Sequence, residues 1–373
     1  MVKFVITFAE SYMKRNFLIG FAVVLLSACS TSLDINAPNG KPILIVYGVL
    51  NPKDTVQYIR ISKGFLTNGD AIQYASENDL SVQNAIVTLT EYKIQEVNGK
   101  KILTQTAKFN LVADNSIVKE DGIFNKNQFI YKTLSTDTVR PGRYYELEIT
   151  VQGNETLSTK AYTIVPSEPF ITQPTDKIQV GSGNVLWNYP EIEFYNSYDT
   201  KFYTRKSTPD EFLVNGRGYE LRIYFKYGIE KAPGDTAWQP ILRFGPTLPF
   251  DKSSCSVSSS LMCYRIGSQS FTDFLRSRLT DNSVKYVFND TPLNESTRLE
   301  ITAIDTFLFN YMQVNSPIYS DFNAVKPEYT NLSNGALGIF GSINTFSRYV
   351  TLGACTKHIC KLNNTPQPGD YCK

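Results

Sequence analysis

Apolar and polar residues alternate over short stretches between residues 42 and 166, and turn-forming residues separate these stretches. Residues 43–50 form a continuous apolar run, residues 84–92 place Ala85, Val87 and Leu89 on one face of an extended chain, and residues 145–151 alternate strictly. A period of two residues is typical of a β-strand with one buried face. No helical period of ten residues competes with it, so the pattern predicts an antiparallel β-sandwich over residues 42–166.

The second half of the chain combines strand patterns with two short helices. Residues 165–177 contain three prolines and no period, which predicts a linker at residues 167–177. Strands are predicted at residues 185–187, 219–227 and 298–304. A helix at residues 270–279 is predicted to begin with a capping box of Ser270 and Asp273, and another helix starts at Asp305.

These patterns together predict a mainly β fold. We expect two β-sandwich domains of the immunoglobulin or fibronectin type, at residues 42–166 and 178–353. The second domain should carry the short helical insertions.

The N-terminus has the pattern of a lipoprotein signal peptide. Lys14 and Arg15 precede an apolar run at residues 17–26, and Ser27 and Ala28 are small residues before Cys29. Such a run is too short to span a bilayer comfortably and is typical of a cleaved signal. We predict a signal peptide at residues 1–28, a lipid such as palmitate on Cys29, a polar tether at residues 30–41 and membrane anchoring outside the cytoplasm. The alternative is a buried apolar strand that ends in cysteine.

The charge of the chain argues against nucleic-acid binding. The full sequence has 37 Lys and Arg against 35 Asp and Glu. Because Lys3, Lys14, Arg15 and Glu10 lie in the signal segment, the mature chain carries equal numbers of basic and acidic side chains. Nucleic-acid binders need a basic face that releases counterions, so we expect no nucleic-acid partner.

Five cysteines follow Cys29, and an oxidising compartment favours disulfides between them. We predict that Cys255 pairs with Cys263 and that another bridge lies within the tail at residues 354–373, with one thiol left over. The tail cysteines are Cys355, Cys360 and Cys372. The alternative is a zinc site, but the spacings lack a CxxC pair and the sequence has one histidine, His358. We expect no metal.

The sequence contains no motif of a familiar catalytic class. GxSxG, HExxH, phosphate-binding and EF-hand patterns are absent, and a Ser-His-Asp enzyme would have to use His358. We therefore predict that the protein is not an enzyme, with no catalytic residues and no cofactor. The enzymatic alternative is a carboxylate-dependent hydrolase, since the sequence leaves open which acidic residues lie close together.

Asp-Thr pairs precede an aliphatic residue at Thr55, Thr138 and Thr236. Each site resembles the Asp-Ser/Thr-aliphatic sequence at which Bacteroidota O-glycosylate exported proteins, so these threonines are candidate O-glycosylation sites. The alternative is that the pairs are turns whose side chains bond to their own backbone.

Residues 329–342 are rich in glycine but lack the Lys-Ser/Thr of a phosphate-binding loop. We predict a turn followed by a strand that carries Ile339 and Phe340, in which Gly338 and Gly341 permit positive φ or close approach. The alternative is a loop whose backbone meets a partner protein.

Several short motifs together resemble one family. They are ILIVYGVLNPKDTVQYIRIS at residues 43–62, NAIVTLTE at 84–91, PGRYYELEIT at 141–150 and YTNLSNGALGIFGS at 329–342. With the lipidation motif, they are similar to the Bacteroidota outer-membrane lipoproteins known as domain of unknown function 4249. The resemblance implies an outer-membrane location, often beside TonB-dependent receptors, and no catalytic residues. The cysteine-rich tail departs from the family pattern.

The leading functional hypothesis is a non-enzymatic accessory lipoprotein that binds an outer-membrane partner such as a TonB-dependent transporter. The alternative is a surface glycan-binding or adhesive protein, because Tyr224 and Trp238 are aromatic residues that could stack on sugars. Surface lipoproteins often carry acidic residues directly after the lipidated cysteine, whereas residues 30–35 contain only Asp34. The sequence therefore leaves open whether the protein faces the periplasm or the cell surface.

Overall fold

The computed structural model describes residues 43–64, 70–120, 122, 125, 128–153, 157–174, 177–181, 184–188, 191–192, 198–204, 213–225, 227–232, 235–239, 242–246, 248–258, 261–281, 285–288, 297–316 and 328–352. These residues belong to one unit that begins at Ile43. The predicted signal peptide, Cys29, the tether and the tail with Cys355, Cys360 and Cys372 lie outside the described residues.

Strands dominate the described chain, as the sequence predicts. The strands of the first half are β1 (Leu44–Leu50), β2 (Tyr58–Lys63), β3 (Ala85–Val97), β4 (Lys100–Asp114), β5 (Ile130–Lys132), β6 (Arg143–Val151), β7 (Leu157–Ile164) and β8 (Pro169–Gln173). Those of the second half are β9 (Lys177–Gly181), β10 (Asn184–Asn188), β11 (Glu191–Ile192), β12 (Tyr198–Thr204), β13 (Gly218–Phe225), β14 (Tyr227–Ala232), β15 (Asp235–Trp238), β16 (Leu242–Phe244), β17 (Met262–Ile266), β18 (Lys285–Phe288), β19 (Arg298–Ile304), β20 (Leu337–Tyr349) and β21 (Thr351–Leu352). The helices are α1 (Ala71–Glu77), α2 (Ser268–Arg278) and α3 (Thr306–Val314).

One 11-stranded sheet runs through both halves of the sequence, in the order β16-β13-β19-β20-β1-β2-β5-β4-β3-β6-β7. Smaller sheets are formed by β17-β12-β8, β15-β14-β18, β10-β9 and β11-β21. The large sheet curls, so that edge strand β7 lies beside β20 and the Thr163 and Ser342 hydroxyls are 2.7 Å apart.

Two apolar cores lie along this sheet. The first is enclosed by the curled strands and includes Val46, Leu89 and Leu147. The second lies between the β16-β13-β19-β20 end of the sheet and a cover made of β8, β12, β17 and α2, with Phe202 and Phe271 as large buried side chains of that cover. The mainly β fold class is therefore confirmed.

The structure joins the two halves between which the sequence predicts a domain boundary. β1 pairs with β20 in parallel, and Phe340 of β20 belongs to the first core although it lies far beyond residue 166. A chain segment from the second half thus completes the core of the first half. The organisation into two β-sandwich domains, at residues 42–166 and 178–353, stays a prediction.

Two local predictions need correction, and one helix was not predicted. The proline-rich segment is not an irregular linker, because β8 forms within it and pairs with β12. Its prolines stand at the first position of β8 and just after its end, where a missing N–H is tolerated. The predicted capping box is wrong, because α2 begins at Ser268 with Gly267 as N-cap and without a side-chain cap. The short helix α1 escaped prediction.

Candidate functional site

An open cleft of about 800 Å³ lies on the outer face of the sheet at β13, β19 and β20. Side chains alternate along these strands, so Leu221 and Ile301 enter the second core while the intervening positions face the cleft. The intervening positions that line it are Glu220, Tyr224, Glu300, Thr302, Thr345 and Ser347.

The strand register arranges the polar side chains in cross-strand rows. Arg243, Tyr224 and Arg298 occupy one row across β16, β13 and β19. Glu220 and Thr302 occupy another row, which Thr345 extends on β20 with a 3.0 Å contact between the two threonine hydroxyls. Directly opposed side chains on one face lie about 5 Å apart, so each row is a contiguous polar surface.

Arginines surround the carboxylate of Glu220. Arg222 donates to it through Nη2, and Nη2 of Arg243 lies 3.6 Å from the same Oε1. Arg222 also donates to the carbonyl of Pro246, and its side chain is 11% exposed. Burial lowers the pKa of the Arg222 guanidinium. The negative charge of Glu220 raises this pKa but only partly offsets the effect of burial. Arg243, in contrast, is 54% exposed to the cleft.

Glu300 forms a second polar centre with its neighbours. The Tyr224 hydroxyl donates to Glu300 Oε1 at 3.2 Å, and Nη2 of Arg298 lies 3.4 Å from Oε2. The guanidinium carbon of Arg298 also lies 4.6 Å from the centroid of the Tyr224 ring, within cation–π range. Burial raises the pKa of Tyr224, and the charge of Glu300 adds to this effect.

The opposite end of the cleft is apolar. Its lining residues include Val49 of β1, Ile304 of β19, Leu308 and Met312 of α3, and Ile343 of β20. An ion pair between Lys53 and Glu168 stands at the rim. A cleft with an apolar end, a polar floor and several guanidinium groups has the general character of a ligand site.

The cleft also contains paired acids, which the hydrolase hypothesis requires. Glu220 and Glu300 are diagonal neighbours across β13 and β19, because Thr302 lies opposite Glu220. Glu220 accepts a hydrogen bond from Arg222, while Glu300 forms an ion pair with Arg298 and accepts a hydrogen bond from the Tyr224 hydroxyl. A glycosidase needs one carboxylic acid that donates a proton to the leaving group. Among the described residues, no group of three or more His, Cys, Asp or Glu could hold a metal ion.

Tyr224 was singled out from the sequence, but the cleft around it was not. Tyr224 is half-buried in the cleft, whereas Trp238 is 44% exposed on β15 and is not among the residues that line it. The alternating polar positions at 220–224 and 298–302 were a visible signal. These positions form one surface only because their strands pair, and the sequence pattern does not indicate which strands pair.

The other predicted sites lie away from the cleft. Thr55 is exposed in a bend and Thr138 is exposed just after a turn, while Thr236 is half-buried in β15. Asp137 Oδ2 accepts a 3.1 Å hydrogen bond from the Leu134 backbone, as a turn-forming aspartate does. O-glycosylation of these threonines stays a prediction.

The predicted local disulfide is present. Cys255 and Cys263 are bonded, with Cα atoms 5.6 Å apart. Cys263 is fully buried at the edge of the β17-β12-β8 sheet. The bridge therefore fixes the loop before β17 to the cover of the second core.

The glycine-rich segment forms the predicted turn and strand. Asn334 and Gly335 have positive φ, and β20 follows with Ile339 and Phe340 buried. Asn331 accepts a 3.0 Å hydrogen bond from the Phe340 backbone N–H and donates to the Phe340 carbonyl. The Asn331 amide also donates to the carbonyl of Tyr162 at 3.2 Å, which ties the segment to β7.

The chain has only a weak similarity to two solved structures. Trypsin-activated alpha-2-macroglobulin from Escherichia coli is 9% identical with a TM-score of 0.20, and the match covers 70% of this chain and 16% of that chain. Salmonella alpha-2-macroglobulin reacted with methylamine is 9% identical with a TM-score of 0.19, and the match covers 71% and 16%. Likeness at this level carries no argument, and no curated protein matches the chain.

Within the described residues, no helix has the length and apolar composition needed to cross a membrane. A family model does match the sequence, over residues 30–348. This range includes both halves of the large sheet and every residue named above as lining the cleft. The chain therefore belongs to the family of the domain of unknown function DUF4249.

Proposed function

We propose that this protein is a lipid-anchored, non-catalytic binding protein of the outer membrane, and that the cleft receives a partner such as a TonB-dependent transporter. The observation that carries the proposal is the cleft itself, a broad open surface with an apolar end and a polar floor. Its carboxylates are engaged by arginines. This arrangement suits recognition better than proton transfer.

The membrane part of the proposal comes from the sequence motif that ends at Cys29. Replacement of the lipidated cysteine, Cys29→Ala, should abolish palmitate labelling and release the protein from the membrane fraction. The neighbouring change Ser30→Ala is the control and should leave both unchanged. Retention of the label in Cys29→Ala would refute the anchor.

The partner can be sought in native membranes. The tagged, lipidated protein would be cross-linked in cells, purified in mild detergent and analysed by mass spectrometry. We expect a stoichiometric outer-membrane protein, whose recovery falls in the cleft variant Arg243→Glu. The matched control is Arg276→Glu, because Arg276 is an exposed arginine on α2 away from the cleft. Absence of any stoichiometric partner would contradict the accessory role.

A surface glycan-binding protein is the second candidate. Hydroxyl groups of Thr302, Thr345 and Ser347 line the cleft near Tyr224, and Trp238 is exposed elsewhere. Protease treatment of intact cells separates the two functions, since an adhesin must be cleaved from outside. Protection of the chain would exclude adhesion, and a glycan array with the purified protein would test direct binding.

A further inference from the structure

We propose that the cleft binds an extended, acidic peptide segment of a partner protein. An acidic group of the segment is held by Arg243 and Arg298 at one end, and an apolar side chain contacts Val49, Leu308 and Met312 at the other. This inference rests on the proposed binding function and specifies the ligand of the same cleft.

Charge on the cleft face favours an anion. On this face the guanidinium groups of Arg222, Arg243 and Arg298 stand against the carboxylates of Glu220 and Glu300. The ion pair of Lys53 and Glu168 at the rim adds no net charge. Arg222 satisfies Glu220 and also bonds to a backbone carbonyl. Arg243 is therefore the surplus cation, and it is also the most exposed of the three.

Unused hydrogen-bond donors lie in the same cluster. The Nε atoms of Arg222 and Arg298 are buried and have no hydrogen-bond partner among the described residues. Because these Nε atoms are buried, a ligand in the cleft would bond instead to the terminal Nη groups of the half-exposed Arg243 and Arg298. A carboxylate beside the Arg243–Tyr224–Arg298 row would supply acceptor oxygens to a guanidinium-rich surface.

The length of the cleft indicates an extended ligand. On β19 the cleft lining runs from Glu300 to Ile304, and Arg298 lies beyond it on the same face of the strand. Arg298 and Ile304 are six positions apart along the strand. At about 3.3 Å per residue, they lie about 20 Å apart. An extended peptide of about seven residues spans this distance.

The polar floor between the ends favours a peptide over a lipid. A hydrocarbon chain laid across Glu220, Thr302 and Thr345 would bury these groups without providing hydrogen bonds. Peptide groups carry both donors and acceptors and can bond to them. A glycan is less favoured, because the Arg298 guanidinium already covers a face of the Tyr224 ring.

The test uses fluorescent peptides of about seven residues, with glutamate at one end, leucine at the other and serine and threonine between, in both chain directions. One analogue replaces glutamate by lysine, and another replaces leucine by serine. Affinities are measured by fluorescence anisotropy with the purified mature protein. We expect the acidic peptide, in one direction, to bind about tenfold or more tightly than either analogue, because a charge-assisted hydrogen bond and the burial of a leucine side chain are each worth about that factor.

Variants identify the site. Arg243→Gln should remove the preference for glutamate over lysine, and Leu308→Ser should remove the preference for leucine over serine. Arg276→Gln is the matched control and should retain both preferences. Circular dichroism melting of each variant establishes that it is folded, which is expected for the exposed Arg243.

Three results would overturn the inference. The first is equal affinity for the acidic and lysine peptides, and the second is unchanged glutamate preference in Arg243→Gln. If a neutral oligosaccharide binds in the cleft and no acidic peptide does, a glycan is the ligand and the peptide inference fails. If no acidic peptide binds but cross-linking captures a partner, the peptide inference fails while the accessory role stands. The two proposals can therefore be refuted separately.

Discussion

A Cβ atom on Gly338 would lie 2.0 Å from the carbonyl oxygen of Val46, its partner in the parallel pairing of β1 and β20. Gly338 also has φ of +105°, which L side chains rarely adopt. The contact joins the first strand of the described chain to the long strand near its end. Glycine at this position is therefore required where the two halves of the sequence meet.

The change Gly338→Ala should lower the free energy of unfolding strongly. The Cβ must displace the Val46 backbone, so we expect a loss greater than the roughly 1 kcal/mol of an unfavourable φ alone. Gly335→Ala is the control, because Gly335 has φ of +70° but a Cβ atom added there would meet no described atom within 4 Å. Urea unfolding measures both, and equal losses would show that the close approach to Val46 has no effect.

Removal of the Cys255–Cys263 bridge should destabilise the protein by about 2–3 kcal/mol, because the unfolded chain regains loop entropy. Cys255→Ser tests this by urea unfolding, with Ser256→Ala as the control in the same loop. Peptide mapping without reductant should recover the Cys255–Cys263 pair. A peptide that links either residue to Cys355, Cys360 or Cys372 would contradict the local pairing.

Glu91 should make stability depend on acid pH. Its side chain is fully buried and accepts hydrogen bonds from Arg140, Tyr145 and Thr106. Burial by itself raises the pKa of Glu91. The hydrogen bonds together outweigh this effect and hold the pKa below the ordinary value of 4.5. The stability that the ionised carboxylate contributes is present above the unfolded-state pKa and is lost as pH falls through the lower folded-state pKa.

Unfolding curves between pH 3 and 7 would measure this effect. Glu91→Gln should flatten the pH dependence, while Glu96→Gln, at an exposed position of β3, should leave it unchanged. Arg140→Ala should cost about 3 kcal/mol at neutral pH, because it leaves a buried charge without its cation. A native-like pH profile in Glu91→Gln would assign the acid sensitivity to another group.

Asp305 should show the opposite pH response. Its Oδ1 accepts from the Leu308 backbone at 2.9 Å and its Oδ2 accepts from the Thr163 hydroxyl at 2.7 Å. Burial raises its pKa above the ordinary 3.8, although the hydrogen bonds from Thr163 and the backbone oppose this. Its contribution is therefore fully present below the unfolded-state pKa and declines as pH rises through the folded-state pKa.

Asp305→Ala should also remove the N-cap of α3 and cost about 1–2 kcal/mol. Asp70→Ala removes the exposed N-cap of α1, which accepts from the Ile72 backbone at 2.8 Å, and should cost less. Thermal unfolding compares the two. If Asp305→Ala loses no more stability than Asp70→Ala, the cost of burying the Asp305 carboxylate offsets the stabilisation that its cap provides.

The sequence by itself determined the local elements. Residues 298–304 were predicted as a strand and form β19, Asp305 was predicted to start a helix and caps α3, and Cys255 was predicted to pair with Cys263. Each depends on residues close in the chain, where side-chain period, capping chemistry and short loop closure operate. The lipid anchor belongs to the same class of sequence signal and stays a prediction.

Tertiary structure alone decided the candidate site. Glu220 and Thr302 face each other only because β13 and β19 pair in one register, and Val49 reaches the cleft only because β1 joins β20 in parallel. A hydrophobic period tells which residues of a strand are buried, but it carries no information on which distant strand lies beside it. That choice is made by the packing of the whole sheet, since the energy of each pairing depends on the burial of every neighbouring strand.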